Sequence, residues 1–108
     1  MGVLTTGDDV QILSHLTKKG KSFAIAESAT AKAVLTTLDR SAIISDIVDI
    51  DMSATGTTLD ESLLIVKFTE AQSAAISETG DVLLEIQLND GGKLTWTKEI
   101  VVRKGNIP

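Results

Sequence analysis

A chain of 108 residues has the length of one domain, enough to bury one core and too little for a deep cleft between helical layers. Its hydrophobic share of 43% argues against disorder, and with only Phe23, Phe68 and Trp96 as aromatics that core must be built from Val, Ile and Leu. The net charge of -5, with acidic and basic residues interspersed and Lys18-Lys19-Gly20-Lys21 the densest basic cluster, argues against a nucleic-acid partner, and no apolar run reaches the ~18 residues of a membrane span.

Met1-Gly2-Val3-Leu4-Thr5-Thr6-Gly7 has no basic region followed by an apolar stretch, so no secretory signal is expected. Met1-Gly2 with Thr6 fits the loose myristoylation pattern, which in so short a motif is read as chance. The absence of cysteine excludes disulfides and thiolate metal sites. Residues 10–17 predict a strand with Val10, Ile12 and Leu16 on one face and Gln11, Leu13 and His15 on the other. Lys18-Lys19-Gly20-Lys21 reads as a solvated turn into a second strand at 22–25, the two strands forming a hairpin.

Residues 29–38 fit two periods. Ala31, Val34, Leu35 and Leu38 lie at helical spacing, while Ala31, Ala33 and Leu35 make the inner face of a strand. Residues 43–52 place Ile44, Val48, Ile50 and Met52 on one face and Asp49 and Asp51 on the other; 53–62 is a polar loop around Gly56. A strand at 63–68 buries Leu64, Val66 and Phe68. Thr69 and Gln72 then match a capping box, with Ala74, Ala75 and Ile76 as the apolar side of one or two helical turns that Gly80 ends.

The clearest signal lies across 81–102. Leu84, Ile86 and Leu88 alternate with Glu85 and Gln87, Asn89-Asp90-Gly91-Gly92 supplies residues that tolerate positive φ, and 93–102 resumes as a β-branched strand. This is a hairpin. About seven short strands broken by turns every 8–12 residues predict an all-β fold, a β-sandwich occupying 1–108 as a single domain with one short helical crossover. The cysteine pair and corner tyrosine of antibody domains are absent.

Candidate chemistry is sparse. His15, the one histidine, sits on an outer strand face without a nucleophile and orienting carboxylate arranged beside it. The segment 49–60 places oxygen ligands at calcium-loop positions, with Asp49, Asp51 and Asp60 as candidate ligands. Ala54 stands where such a loop turns on glycine, Gly56 stands where it has an apolar residue, and Asp replaces the final Glu. The alternative is the solvent face of a strand running into a Ser/Thr-rich loop. Asp8, Asp9, Glu61, Glu85 and Glu99 lack the apolar surroundings that tune an acid–base pair. Gly91-Gly92 joins two strands instead of opening a phosphate-binding helix. The residues imply no enzyme, no resident metal and no cofactor.

What is left is surface. Trp96 is either the core's one large filler or an interface anchor, and Arg103 and Ile107, beyond the last hairpin, are candidates to meet a neighbouring subunit.

Residues 83–93 (Leu-Leu-Glu-Ile-Gln-Leu-Asn-Asp-Gly-Gly-Lys), then Thr95-Trp96 and Lys104-Gly105-Asn106-Ile107, resemble the end of small structural proteins of tailed phages and prophages. The Gly-Asp lead, the Lys-Lys-Gly-Lys turn and the Ala/Thr-rich segment resemble their beginnings. The chain is also similar, more distantly, to the immunoglobulin-like N-terminal domain of phage upper baseplate proteins. That resemblance implies an immunoglobulin-like antiparallel β-sandwich and favours a strand at 29–38. It implies a non-enzymatic virion component, made in the host cytoplasm and assembled on the tail, neck or baseplate. Its partners would be itself, as a homo-oligomer, and other virion proteins, with no membrane and no nucleic acid. A capsid decoration protein and an adhesion or carbohydrate-binding module are the alternatives.

Overall fold

The computed structural model describes residues 2–105, and strands dominate it. In chain order they are β1 Gly2–Thr5, β2 Val10–His15, β3 Thr30–Thr36, β4 Val48–Asp49, β5 Leu63–Phe68, β6 Gly80–Asn89 and β7 Lys93–Arg103. One short helix, α1, spans Glu70–Ala74, and a 3-10 turn covers Leu59–Glu61. A five-stranded sheet runs in the order β1-β7-β6-β3-β4, and β2 and β5 form a second sheet.

The β6–β7 hairpin is the backbone of the larger sheet. Ten residue pairs join it, from Gly80↔Val102 to Asn89↔Lys93, and Gly91 closes the turn at φ +72°. The alternation has the expected consequence: Val82, Leu84, Ile86 and Leu88 are buried while Glu85 and Gln87 are half-exposed. β3 pairs antiparallel with β6, setting Ala31 and Ala33 beside Leu88 and Ile86. The segment with two periodicities is thus a strand. Its misleading helical signal arises because Val34 and Thr36, on the face away from Ala33 and Leu35, are also buried. The 37–47 loop turns back beside them, with Ile43 bridging Thr36 and Leu35 N–H donating to Ser45 Oγ at 2.9 Å.

Three expectations are corrected. The sheet is mixed, because β1 pairs parallel with the end of β7, Gly2↔Ile100 through Thr5↔Arg103. Second, β2 forms no hairpin with 22–25; it pairs antiparallel with β5 over six residues. The Lys18–Lys21 turn does form, closed by backbone bonds of 2.9 and 3.0 Å with Lys19 and Gly20 at positive φ. Past it the chain leaves β2, because Phe23 N–H donates to Ser62 Oγ and Ile25 N–H to the Leu59 carbonyl. Third, Gly80 does not stop the helix. α1 closes at Ala75, and Gly80, at φ +99°, opens β6.

The capping box is present in full: Thr69 Oγ1 accepts from Gln72 N–H, and Gln72 Oε1 accepts from Thr69 N–H. Both sheets feed one core. Ile12, Leu64, Val66 and Phe68 from the smaller sheet cluster with Leu35, Leu84, Ile86, Leu88, Ile100 and Val102 from the larger one. Residues 43–52 reach this core through Ile44, Val48 and Ile50, with Asp49 and Asp51 in solvent, although only Val48–Asp49 pairs as strand.

Candidate functional site

Two sheet edges lie on one side of the molecule: the outer edge of β2 and the Lys93–Glu99 stretch of β7, which extends past the four pairs made with β1. Between them is a cleft of about 250 Å³ with His15 and Thr17 on one wall, Trp96 and Lys98 on the other, and Leu84 and Ile86 at its base. Trp96 therefore sits at the rim of the core, half-buried, and serves as a strut between β7 and the chain beyond β2. Its indole N–H donates to the Thr17 carbonyl at 2.9 Å. Its ring stacks on Phe23, with centroids 5.7 Å apart and planes 13° apart, and Lys18 Nζ lies 4.5 Å from the Phe23 centroid. Lys98 Nζ reaches across to the Leu13 carbonyl at 3.5 Å.

His15 lies at this cleft, exposed on the face predicted for it, with Nε2 2.6 Å from Ser22 Oγ. A hydroxyl–imidazole contact supplies two parts of a nucleophilic relay; the third, a carboxylate holding the other ring nitrogen, is not within ion-pair distance among the described residues. The pair straddles the 18–21 turn.

The aspartates of the calcium pattern are not gathered. Asp49 is in β4, where Lys32 Nζ stands 3.8 Å from its carboxylate. Asp51 Oδ1 accepts from Ser53 N–H (2.9 Å) and Ser53 Oγ (2.8 Å), and these bonds hold its carboxyl below the usual aspartate range. Asp60 is in the 3-10 turn. Among the described residues no three His, Cys, Asp or Glu side chains are grouped to hold an ion. The strongest carboxyl shift lies elsewhere: Asp39 is lowered to about 2 by bonds from the Ser41 hydroxyl, the Thr37 hydroxyl and the Ser41 N–H.

Arg103 is exposed at the last position of β7, opposite Thr5. Ile107 lies outside the described residues. No helix among those residues is long and apolar enough to cross a membrane.

Sequence reasoning missed the serines that join the loops to the strands. Ser62, fully buried and at φ +53°, donates to the Leu16 carbonyl and accepts from Phe23 N–H at 3.3 Å. Ser73, equally buried, accepts from Gly7 N–H at 2.9 Å and donates to the Asp8 carbonyl at 2.7 Å. A serine inside a polar run carries no periodic signal. Only the positive φ at Ser62 and its burial single it out, and neither is visible in one sequence. Arg40, also at positive φ, pairs with Glu85 and ties the 37–47 loop to the outer face of β6.

No protein-family model matches the chain, and comparison with curated proteins gives no match.

Proposed function

We propose that this chain is a non-enzymatic assembly domain of a tailed-phage virion, built as an immunoglobulin-like β-sandwich and seated on the tail, neck or baseplate. The observation that carries the reading is the strand order. A β1-β7-β6-β3-β4 sheet with a separate β2-β5 pair supports an immunoglobulin-like reading, in which the last hairpin is flanked by the third strand, with a short further strand at that edge. The expected antiparallel scheme is changed only by the parallel first strand. The polar groups buried in the protein support a structural role, since Ser62 and Ser73 are spent on backbone atoms and not on a reacting centre.

The resemblance of 83–93 and 95–96 to phage structural proteins supplies the virion setting, with synthesis in the host cytoplasm and partners among virion proteins and copies of itself. The carbohydrate-binding alternative is the weaker one. Phe23 and Trp96 stack on each other and Phe68 is 1% exposed, so no free aromatic platform is offered to a sugar ring.

The test is localisation. An antibody against the folded chain, applied to purified particles from the producing host, is expected to label the tail, neck or baseplate in electron micrographs. Label spread over the head would replace this reading with the decoration alternative. Particles that lack the chain by mass spectrometry would overturn both.

A further inference from the structure

The cleft beside Trp96 has the form of an empty strand position, and β1 shows what fills the same gap further along β7. A methyl group placed on Gly2 would lie 3.4 Å from Ile100 Cγ2 and 3.8 Å from Ile12 Cγ2, so β1 runs between β7 and β2 there. With Thr6 N–H on the Arg103 carbonyl, the parallel register sets Gly2 N–H on the Glu99 carbonyl, where the described pairing of β1 with β7 begins. Past that point the gap continues as the cleft of about 250 Å³, between residues 96–98 and 14–17.

Both walls present open backbone groups. The odd-numbered residues of β7 face the β1 side, and among the described residues nothing pairs there with the N–H and C=O of Thr95 and Thr97. On β2, Leu16 N–H donates to the Ser62 carbonyl at 2.9 Å, so even-numbered residues face β5 while Leu13 and His15 face the gap. The charge is one-sided. Lys98 is half-buried over the cleft, His15 is on the opposite wall, and no Asp or Glu lines it. Lys18 stands beside it over Phe23, which stacks on Trp96. Neither lysine has an ion-pair partner among the described residues, and Lys98 Nζ reaches only the Leu13 carbonyl, at 3.5 Å. In a chain of net charge -5, this concavity is lined by cationic and neutral side chains alone.

We infer that the gap takes an extended acidic segment of a partner protein, added to β7 as a further strand in line with β1. The segment lies antiparallel to residues 93–97, the orientation with the more stable ladder, and exchanges backbone hydrogen bonds with Thr95 and Thr97. A longer overlap would run into β1, so the pairing stops at Thr97. The segment's residue opposite Trp96 points inward, where a glutamate carboxylate reaches Lys98 on the diagonal. Its residue opposite Leu94, which is 38% exposed, is apolar. A basic segment is refused, because it would set a second cation beside Lys98 with no acid in the cleft to offset it.

This inference rests on the assembly role proposed above, to which it gives a partner chemistry, and the binding test can fail while virion incorporation stands. The probe is the end-blocked peptide Thr-Glu-Thr-Val-Thr, titrated in low salt into the isotope-labelled full chain and followed by NMR. Binding is expected with a dissociation constant on the order of 1 mM, with amide shifts confined to residues 93–98 and 13–18. The peptide Thr-Lys-Thr-Val-Thr should bind about tenfold more weakly, and Lys98→Glu should reverse that order. Thr97→Pro removes an N–H aimed at the gap while sparing the β6 ladder, and should abolish binding with the circular dichroism unchanged. The inference is overturned by an absence of shifts up to about 10 mM peptide, or by shifts that lie away from both walls. Equal binding of the two peptides overturns it as well, as does an order that Lys98→Glu leaves unchanged.

Discussion

The two sheets are held by different means. The β3–β6–β7 part of the larger sheet depends on length and alternation: strands of seven, ten and eleven residues, a three-residue turn, and a continuous inner face of Leu, Ile and Val. The smaller sheet has only two six-residue strands, and its surroundings are tied by single buried hydroxyls, Ser62 at one end and Ser73 near the other. Hydrophobic burial is shared along the whole inner face, so a loss there weakens the sheet as a unit. A hydroxyl that satisfies two backbone groups is a point of failure, because removing it strands both partners.

The largest expected effect is in the larger sheet. Leu84→Ala, at a side chain with no exposure, should cost ~2–5 kcal/mol in urea unfolding. Next is Ser62→Ala, which leaves the Leu16 carbonyl and Phe23 N–H without their partner and should cost ~1–3 kcal/mol. Hydrogen exchange sharpens the contrast. In this variant amides of 16–25 should lose protection well before those of β6, and equal loss in both places would show that the sheets open as one unit. Thr69→Ala removes the cap of α1 and should cost ~1 kcal/mol, read as a shift in melting temperature with little change in β6 protection.

The smallest effect is on pH. Asp39 is lowered from 3.8 to about 2 in the folded chain, so its contribution is complete above 3.8 and is lost as pH falls through that window. Asp51 is shifted in the same direction. Both are on the surface, so the expected change is a slight decline of the urea midpoint in acid, flattened in Asp39→Asn.

Legibility follows the same division. The 81–102 hairpin, the 63–68 strand and the capping box could be read from the chain because their cause is local: alternation, a glycine turn, two side chains three apart. What could not be read is pairing at a distance. Val10–His15 looks equally ready to pair with 22–25 or with Leu63–Phe68, and the choice is made by Ser62 and the Leu59 carbonyl drawing 23–25 away. Gly2–Thr5 has too few residues for a period to show, and it becomes a strand only because β7 offers it an edge. The surface candidates were visible as residue types, but the tie from Trp96 to Thr17 and the cleft beside it depend on tertiary packing.

The parallel pairing of β1 with β7 has a mechanical consequence. Tension applied through the two ends of the domain pulls Gly2 away from Thr5 in one direction and draws the chain beyond Arg103 in the opposite one. The two strands are then asked to slide along each other, so the bonds between Gly2–Thr5 and Ile100–Arg103 share the load together. An antiparallel terminal pair pulled from its open end would peel one bond at a time. A four-residue strand, the least conspicuous in the sequence, thus places a shear clamp across the ends of the chain.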